Sequence, residues 1–141
     1  MVKSGIDSIK VEPQKVIPAN GGDVFKIINL YDSDFYGFGE AYFTTVLPNH
    51  IKGWKKHKTM TLNLVVPIGE VKFVFAEDDA IKFRVENIGS SCYNRITVPP
   101  NIWFAFKCVS NVSSLVLNIA NIIHDPYEVE TCNLDNFNFN W

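Results

Sequence analysis

Apolar and polar residues alternate through most of the chain with a period of two, the signature of strands with one buried face. Runs rich in β-branched and aromatic residues at 24–30, 35–47, 71–75, 82–88, 94–98, 103–109 and 115–120 are predicted as strands. Turn-forming clusters separate them, among them Pro48-Asn49, Glu77-Asp78-Asp79, Gly89-Ser90-Ser91 and Pro99-Pro100-Asn101. No segment carries a sustained stripe with a 3.6-residue repeat. Residues 51–66 read as two extended pieces, and Pro67-Ile68-Gly69-Glu70 as a turn. Glu128-Val129-Glu130 is predicted to begin a helical turn. Short strands at fairly even spacing predict an all-β sandwich or barrel, and the strand count suits a jelly-roll double sheet. Residues 1–141 form one domain in this reading, with 1–22 as an arm whose short strand at 9–11 reaches a partner subunit. The aromatic, Asn-rich tail at 133–141 packs across the domain.

The stretch from Ile51 to Val66 concentrates the chemistry. Strand periodicity places Lys55 and His57 on a common face, two residues apart. An ammonium beside an imidazole is what an anion pocket in a sheet needs, whereas a plain reading is an exposed basic edge strand that discourages edge pairing. Thr61 and Asn63 alternate with Leu62, Leu64 and Val66, and are expected to face a lumen. Asn118 interrupts the apolar run at 115–119, where a buried amide needs partners that either the core or a ligand can supply. Arg95 shares strand parity with Tyr93 and Thr97 and is a phosphate candidate.

Charge narrows the field. A net charge of -2 over 141 residues argues against a broad nucleic-acid surface, so any anion site is local. The N-terminus has no apolar leader-like run, and no stretch approaches the roughly 20 apolar residues of a membrane span. Cys92, Cys108 and Cys132 are odd in number and widely spaced, which fits reduced thiols in a cytoplasmic protein. A metal centre is not expected: Lys55 breaks a histidine pair, and no histidine lies in the strand after Pro99-Pro100. Neither a nucleophile elbow nor a Gly-rich phosphate loop is present.

Several blocks in order carry a resemblance. Phe38-Gly39-Glu40-Ala41-Tyr42-Phe43, Val46-Leu47-Pro48, Ile51-Lys52-Gly53-Trp54, His57-Lys58 and Met60-Thr61-Leu62-Asn63 are followed by Val98-Pro99-Pro100, Trp103, Phe106-Lys107 and His124-Asp125-Pro126. Together with an aromatic tail ending at Trp141, they resemble the short branch of the dTDP-4-dehydrorhamnose 3,5-epimerase family over residues 24–141. The resemblance implies a cupin-type double-stranded β-helix, a homodimer, a dTDP-sugar or related nucleotide-sugar substrate and no metal or other cofactor. It also implies proton abstraction α to a 4-keto group. Three expected catalytic positions differ: Lys55 and Phe104 stand where histidines are usual, and the expected tyrosine falls near Ile122-Ile123.

Carbon-acid chemistry needs a base in reach and an electrophile for the developing enolate. His57 is the candidate base. Lys55 is a candidate electrophile or base, or joins Lys52 in holding a diphosphate. Tyr42 offers an aromatic face to a nucleobase. His124 is expected to cap its turn and Trp103 to sit in the core. Two function classes stand at this point: an epimerase or isomerase of a dTDP-4-keto-6-deoxy sugar, and a catalytically silent sugar-nucleotide or carbohydrate-binding cupin.

Overall fold

The computed structural model describes residues 3–141. Its strands are β1 (Lys10–Pro13), β2 (Val16–Ile17), β3 (Val24–Phe25), β4 (Glu40–Val46), β5 (Ile51–His57), β6 (Leu62–Ile68), β7 (Glu70–Ala76), β8 (Phe83–Gly89), β9 (Asn94–Val98), β10 (Trp103–Cys108), β11 (Ser114–Ala120) and β12 (Val129–Thr131). One five-stranded sheet has the order β1-β9-β6-β11-β4 and the other β12-β5-β10-β7-β8, while β2 and β3 form a separate hairpin. All the pairings between these strands are antiparallel. The architecture is an all-β jelly roll of the cupin type. No helix among the described residues is long and apolar enough to cross a membrane.

The alternation read from sequence fills the space between the sheets. Leu62, Leu64 and Val66 of β6, Ile96 and Val98 of β9 and Val116 of β11 meet Val71, Phe73 and Phe75 of β7 and Phe104 of β10 in one buried cluster. Apolar burial of this kind contributes about 25 cal/mol per Å². β6 and β7 are joined almost without a loop through Gly69, whose φ of +80° is open to glycine at no steric cost.

The outer face of the second sheet is covered too. Trp54, Val74, Ala76 and Ala105 point away from the central core and pack under Phe137 of the C-terminal tail, with Phe139 and Trp141 beside it. The Trp54 and Phe137 rings lie 4.6 Å apart, and Trp54 Nε1 donates to the Leu134 carbonyl at 3.1 Å. Trp103 packs on this side, its ring 5.6 Å from Phe137, and so lies outside the lumen.

Three local expectations are corrected. The strand expected over 24–30 is only Val24–Phe25, because the chain then leaves as a loop that covers the first sheet. That expected over 35–47 starts at Glu40. At 128–130 the chain enters β12 at Val129 and forms no helical turn: pairing with β5, Val129 opposite His57 and Thr131 opposite Lys55, overrides the helix preference of two glutamates. The N-terminal strand, β1, pairs with β9 of its own chain.

Candidate functional site

The site lies where β5 crosses the opening of the sandwich. Its alternation sends Trp54 and Lys56 outward and Lys55 and His57 inward. Register then adds Lys52. Along β10, Phe104 pairs with Lys55 and Phe106 with Lys52, so two steps on β10 oppose three on β5. The extra residue is a bulge next to Gly53, and it turns Lys52, which strict alternation would put with Trp54, onto the inner face.

A cavity of about 290 Å³ results. One wall is Lys52, Gly53, Lys55 and His57 of β5 with Phe104 and Phe106 of β10 and Val129 and Thr131 of β12. The facing wall comes from the other sheet: Tyr42 and Thr44 of β4, Val116 and Asn118 of β11, and Leu62 and Leu64 of β6. His124 lies at the rim. No carboxylate lines the cavity, whereas two lysines and two histidines do, so it presents positive charge. Its buried end holds His57, Phe104 and Asn118, and Lys52, Lys55 and His124 sit at the exposed end.

His57 is held by a partner 71 residues away. Its Nδ1 hydrogen-bonds the Glu128 carboxylate, and its ring stacks on Phe104 with centroids 6.1 Å apart and planes at 17°. Both His57 and Glu128 are 6% exposed. The other Glu128 oxygen accepts the Thr59 and Met60 amides at 3.1 and 3.2 Å and faces the Thr59 hydroxyl at 3.4 Å. Burial alone would raise the Glu128 pKa. The hydrogen bonds from His57, Thr59 and Met60 outweigh that and hold it below the ordinary carboxylate value. The group therefore stays a carboxylate at neutral pH and receives the Nδ1 proton. Nε2 is left with its lone pair and has no hydrogen-bond partner among the described residues. A carboxylate that fixes the imidazole tautomer in this way makes the free nitrogen a base.

The opposite wall carries a second polar pair. Asn118, 2% exposed, donates from Nδ2 to the Tyr42 hydroxyl oxygen at 3.0 Å. Its Oδ1 is buried and has no partner. A buried acceptor left unpaired costs about 1–3 kcal/mol, which a donor arriving in the cavity would recover.

Of the residues singled out from sequence, Lys52, Lys55, His57, Tyr42 and Asn118 meet around this cavity. Thr61, Asn63 and Arg95 do not, and the lumen placement expected for Thr61 and Asn63 is corrected. β6 turns its leucines to the lumen and its polar residues to the far side of the sheet. There Asn63 Oδ1 accepts Thr97 Oγ1 at 2.6 Å and Arg95 Nε at 3.1 Å, and Asn63 Nδ2 donates to the Asp34 carbonyl at 3.0 Å. Arg95 is buried as a strut: Nη1 donates to the Ile27 carbonyl at 2.8 Å, and the guanidinium faces Asp32 and Asp34 at 3.4 and 3.5 Å. The Thr61 amide donates to Asn121 Oδ1 at 2.8 Å. An open groove of about 430 Å³ beside Arg95 is larger than the lumen cavity, but its buried charges, Arg95 and Asp34, already face each other. His124 does more than cap a turn. Its amide donates to Glu40 Oε1 at 2.8 Å, and the residue borders the cavity. Glu128 was missed, since nothing local distinguishes it from a surface glutamate. Among the described residues no three His, Cys, Asp or Glu side chains converge as a metal site would require.

No protein-family model matches the sequence, and no curated protein does either. Solved structures do. The chain is similar to a dTDP sugar isomerase from Desulfovibrio desulfuricans G20, with 29% identity and a TM-score of 0.91 over 96% of this chain and 91% of that one. The fold is that of the dTDP-sugar isomerases and epimerases. A sugar 3,4-ketoisomerase from Thermoanaerobacterium thermosaccharolyticum in complex with TDP superposes with a TM-score of 0.76 and 18% identity, over 93% and 92% of the two chains. A dTDP-6-deoxy-D-glucose-3,5-epimerase from Legionella pneumophila Philadelphia 1, in complex with dTDP-4-keto-L-rhamnose, gives 0.75 and 14%, over 91% and 74%. These two likenesses are of fold.

Proposed function

We propose that this cupin isomerises or epimerises a dTDP-4-keto-6-deoxy sugar by removing a proton α to the ketone. The observation that carries the reading is the His57–Glu128 dyad at the buried end of the cationic cavity. His57 Nε2 takes the carbon-bound proton, and Glu128 holds the tautomer and balances the imidazolium that forms. Lys52 and Lys55 hold the diphosphate at the exposed end, where their ammonium groups stay hydrated until the anion arrives. The likeness to a dTDP sugar isomerase at 29% identity over nearly the whole chain supports the substrate class.

The substituted positions bear on which reaction is run. Epimerising two carbons needs a base and an acid on opposite ring faces at each. Phe104 and Ile122 remove candidates for those extra groups. A single base suits transfer of one proton between neighbouring carbons through an enediol. The same substitutions favour, as a second reading, a cupin that binds the sugar nucleotide without turning it over.

Incubation with dTDP-4-keto-6-deoxyglucose in D2O separates the two. Deuterium entering the sugar ring, and lost in His57→Ala, supports the enzyme. TDP binding with no exchange points to the silent binder, and absence of both overturns the proposal.

A homodimer and a cytoplasmic setting belong to the same proposal. Phe38 and Phe43 at and beside the edge strand β4 are 66% and 63% exposed, an apolar surface that suits a second copy. The three cysteines are unpaired, as a reducing compartment keeps them. Sedimentation equilibrium at micromolar concentration tests the dimer.

A further inference from the structure

We infer that Asn118 is a specificity-determining residue: its amide oxygen reads the hydroxyl on carbon 3 of the sugar, and so directs His57 to that carbon and away from carbon 5. The inference rests on the proposed proton abstraction by His57 and adds which carbon is chosen and by what.

Asn118 is costly where it stands. β11 lies between β6 and β4, and Asn118 is opposite Leu64 on one and Tyr42 on the other. Val116 and Ala120 flank it on the same face of β11. Leu64, Val116 and Ala120 belong to the buried apolar cluster, and none of them has a side-chain donor. Nδ2 is tied to the Tyr42 hydroxyl at 3.0 Å, which leaves Oδ1 buried without a partner. An apolar side chain would pack here without that cost. The lumen, which Asn118 borders, is where a donor can come from.

His57 stands across the lumen, on the other sheet. These two supply the polar side chains among the buried residues of the wall; the others are Leu62, Leu64, Phe104 and Val116. A sugar ring at this end meets a base on one face and a hydrogen-bond acceptor on the other. Two carbons flank a 4-ketone. Carbon 3 carries a hydroxyl, and carbon 5 a methyl group and the ring oxygen. A tetrahedral carbon that turns its hydrogen to His57 tilts its other substituents toward the opposite wall. With carbon 3 against Nε2, the hydroxyl donates to Asn118 Oδ1. With carbon 5 there, a methyl group arrives instead and the oxygen stays unpaired. That unpaired state penalises carbon 5, and any sugar without the hydroxyl. An amide oxygen is too weak a base to take the hydroxyl proton, so it holds the alcohol without ionising it.

The test sets dTDP-4-keto-6-deoxyglucose against its 3-deoxy counterpart, dTDP-4-keto-3,6-dideoxyglucose, which still has protons beside the ketone. Loss of the ring protons at carbons 3 and 5 is followed by NMR in D2O, with the intact protein as wild type and as Asn118→Leu. Wild type is expected to lose the carbon 3 proton first and to prefer the 3-hydroxy sugar by about 10- to 100-fold in kcat/KM, the scale of one buried acceptor left unpaired. Asn118→Leu is expected to bring that preference below about threefold, with TDP affinity also within about threefold, because the diphosphate is held at the other end of the cavity. Asn118→Asp keeps an acceptor oxygen and is expected to retain the preference. Three results each overturn the inference and leave the His57 reading standing: wild type handling the two sugars within about threefold of each other, wild type losing the carbon 5 proton as fast as the carbon 3 proton, or Asn118→Leu keeping the full preference. The first two need no variant to fold. No proton loss from either sugar in wild type overturns both readings.

Discussion

Glu128→Gln is the sharpest perturbation available, because it changes one atom's chemistry and almost no volume. The carboxylate accepts from His57 Nδ1 at one oxygen and faces the Thr59 amide, the Thr59 hydroxyl and the Met60 amide with the other. A glutamine offers one acceptor and an NH2. Suppose its oxygen keeps the Thr59 and Met60 amides. The NH2 then faces His57 Nδ1, which must become an acceptor, and the ring proton moves to Nε2, where the base is needed. Suppose instead its oxygen turns to His57. The NH2 then meets two backbone N–H groups and leaves them unpaired in a buried site. The first arrangement costs catalysis and the second costs stability, on the order of 1–3 kcal/mol for buried groups without partners.

Loss of the correct tautomer in a dyad of this kind is worth about 10²–10⁴ in rate. The assay is initial-rate deuterium uptake into dTDP-4-keto-6-deoxyglucose, read with long-range nitrogen–proton NMR of the ring. Wild type is expected to carry its proton on Nδ1, and the variant on Nε2 or a mixture. Glu128→Gln exchanging within about threefold of wild type, or showing an unchanged tautomer together with lost activity, refutes the reasoning that the carboxylate acts through the imidazole.

Three further outcomes are expected. The folded-state pKa of Glu128 lies below its ordinary value of 4.5, so the stability it contributes is complete above that value and is lost as pH falls through the folded pKa. Urea midpoints of wild type and Glu128→Gln should therefore differ most at neutral pH and converge only as pH falls below the lowered folded-state pKa of Glu128. Lys52→Met and Lys55→Met should each weaken TDP binding by about tenfold in calorimetry, and the pair together should flatten its salt dependence. Arg95→Met leaves Asp34 paired with Lys10 but takes a charged donor from Asn63 Oδ1 and the Ile27 carbonyl, and should cost about 1–3 kcal/mol in urea unfolding, while TDP affinity of the folded protein stays unchanged, since the guanidinium lies outside the lumen.

The approximate strand positions, the jelly roll and the common face of Lys55 and His57 were legible because a period of two survives any amount of surrounding context. The face each strand turns inward was less so. β6 is the middle strand of its sheet, with the lumen core on one side and the loop over 27–34 on the other, so both of its faces are buried. Alternation separates Thr61 and Asn63 from the leucines but carries no sign, and the polar set went to the loop, where Arg95 and Asp34 needed it. Lys52 reached the cavity only through a bulge, and the one trace of that in the sequence is Gly53 within a strand. Glu128 left no local trace at all, since its role exists only once β12 is paired with β5.

The same registers explain how a site that lacks the resembled family's usual groups remains a site. β12 sets Val129 against His57, and the residue before it is thereby placed under the imidazole. β11 sets Asn118 against Tyr42 across one sheet, and the sandwich sets that pair against β5 across the lumen. His57, Tyr42 and Asn118 are fixed by backbone pairing on strands, and Glu128 sits one residue before the strand that pairs with β5. None of these placements needs a histidine at Phe104 or a tyrosine at Ile122: the positions that face the substrate in the proposed proton transfer are held by the pairings that hold the fold.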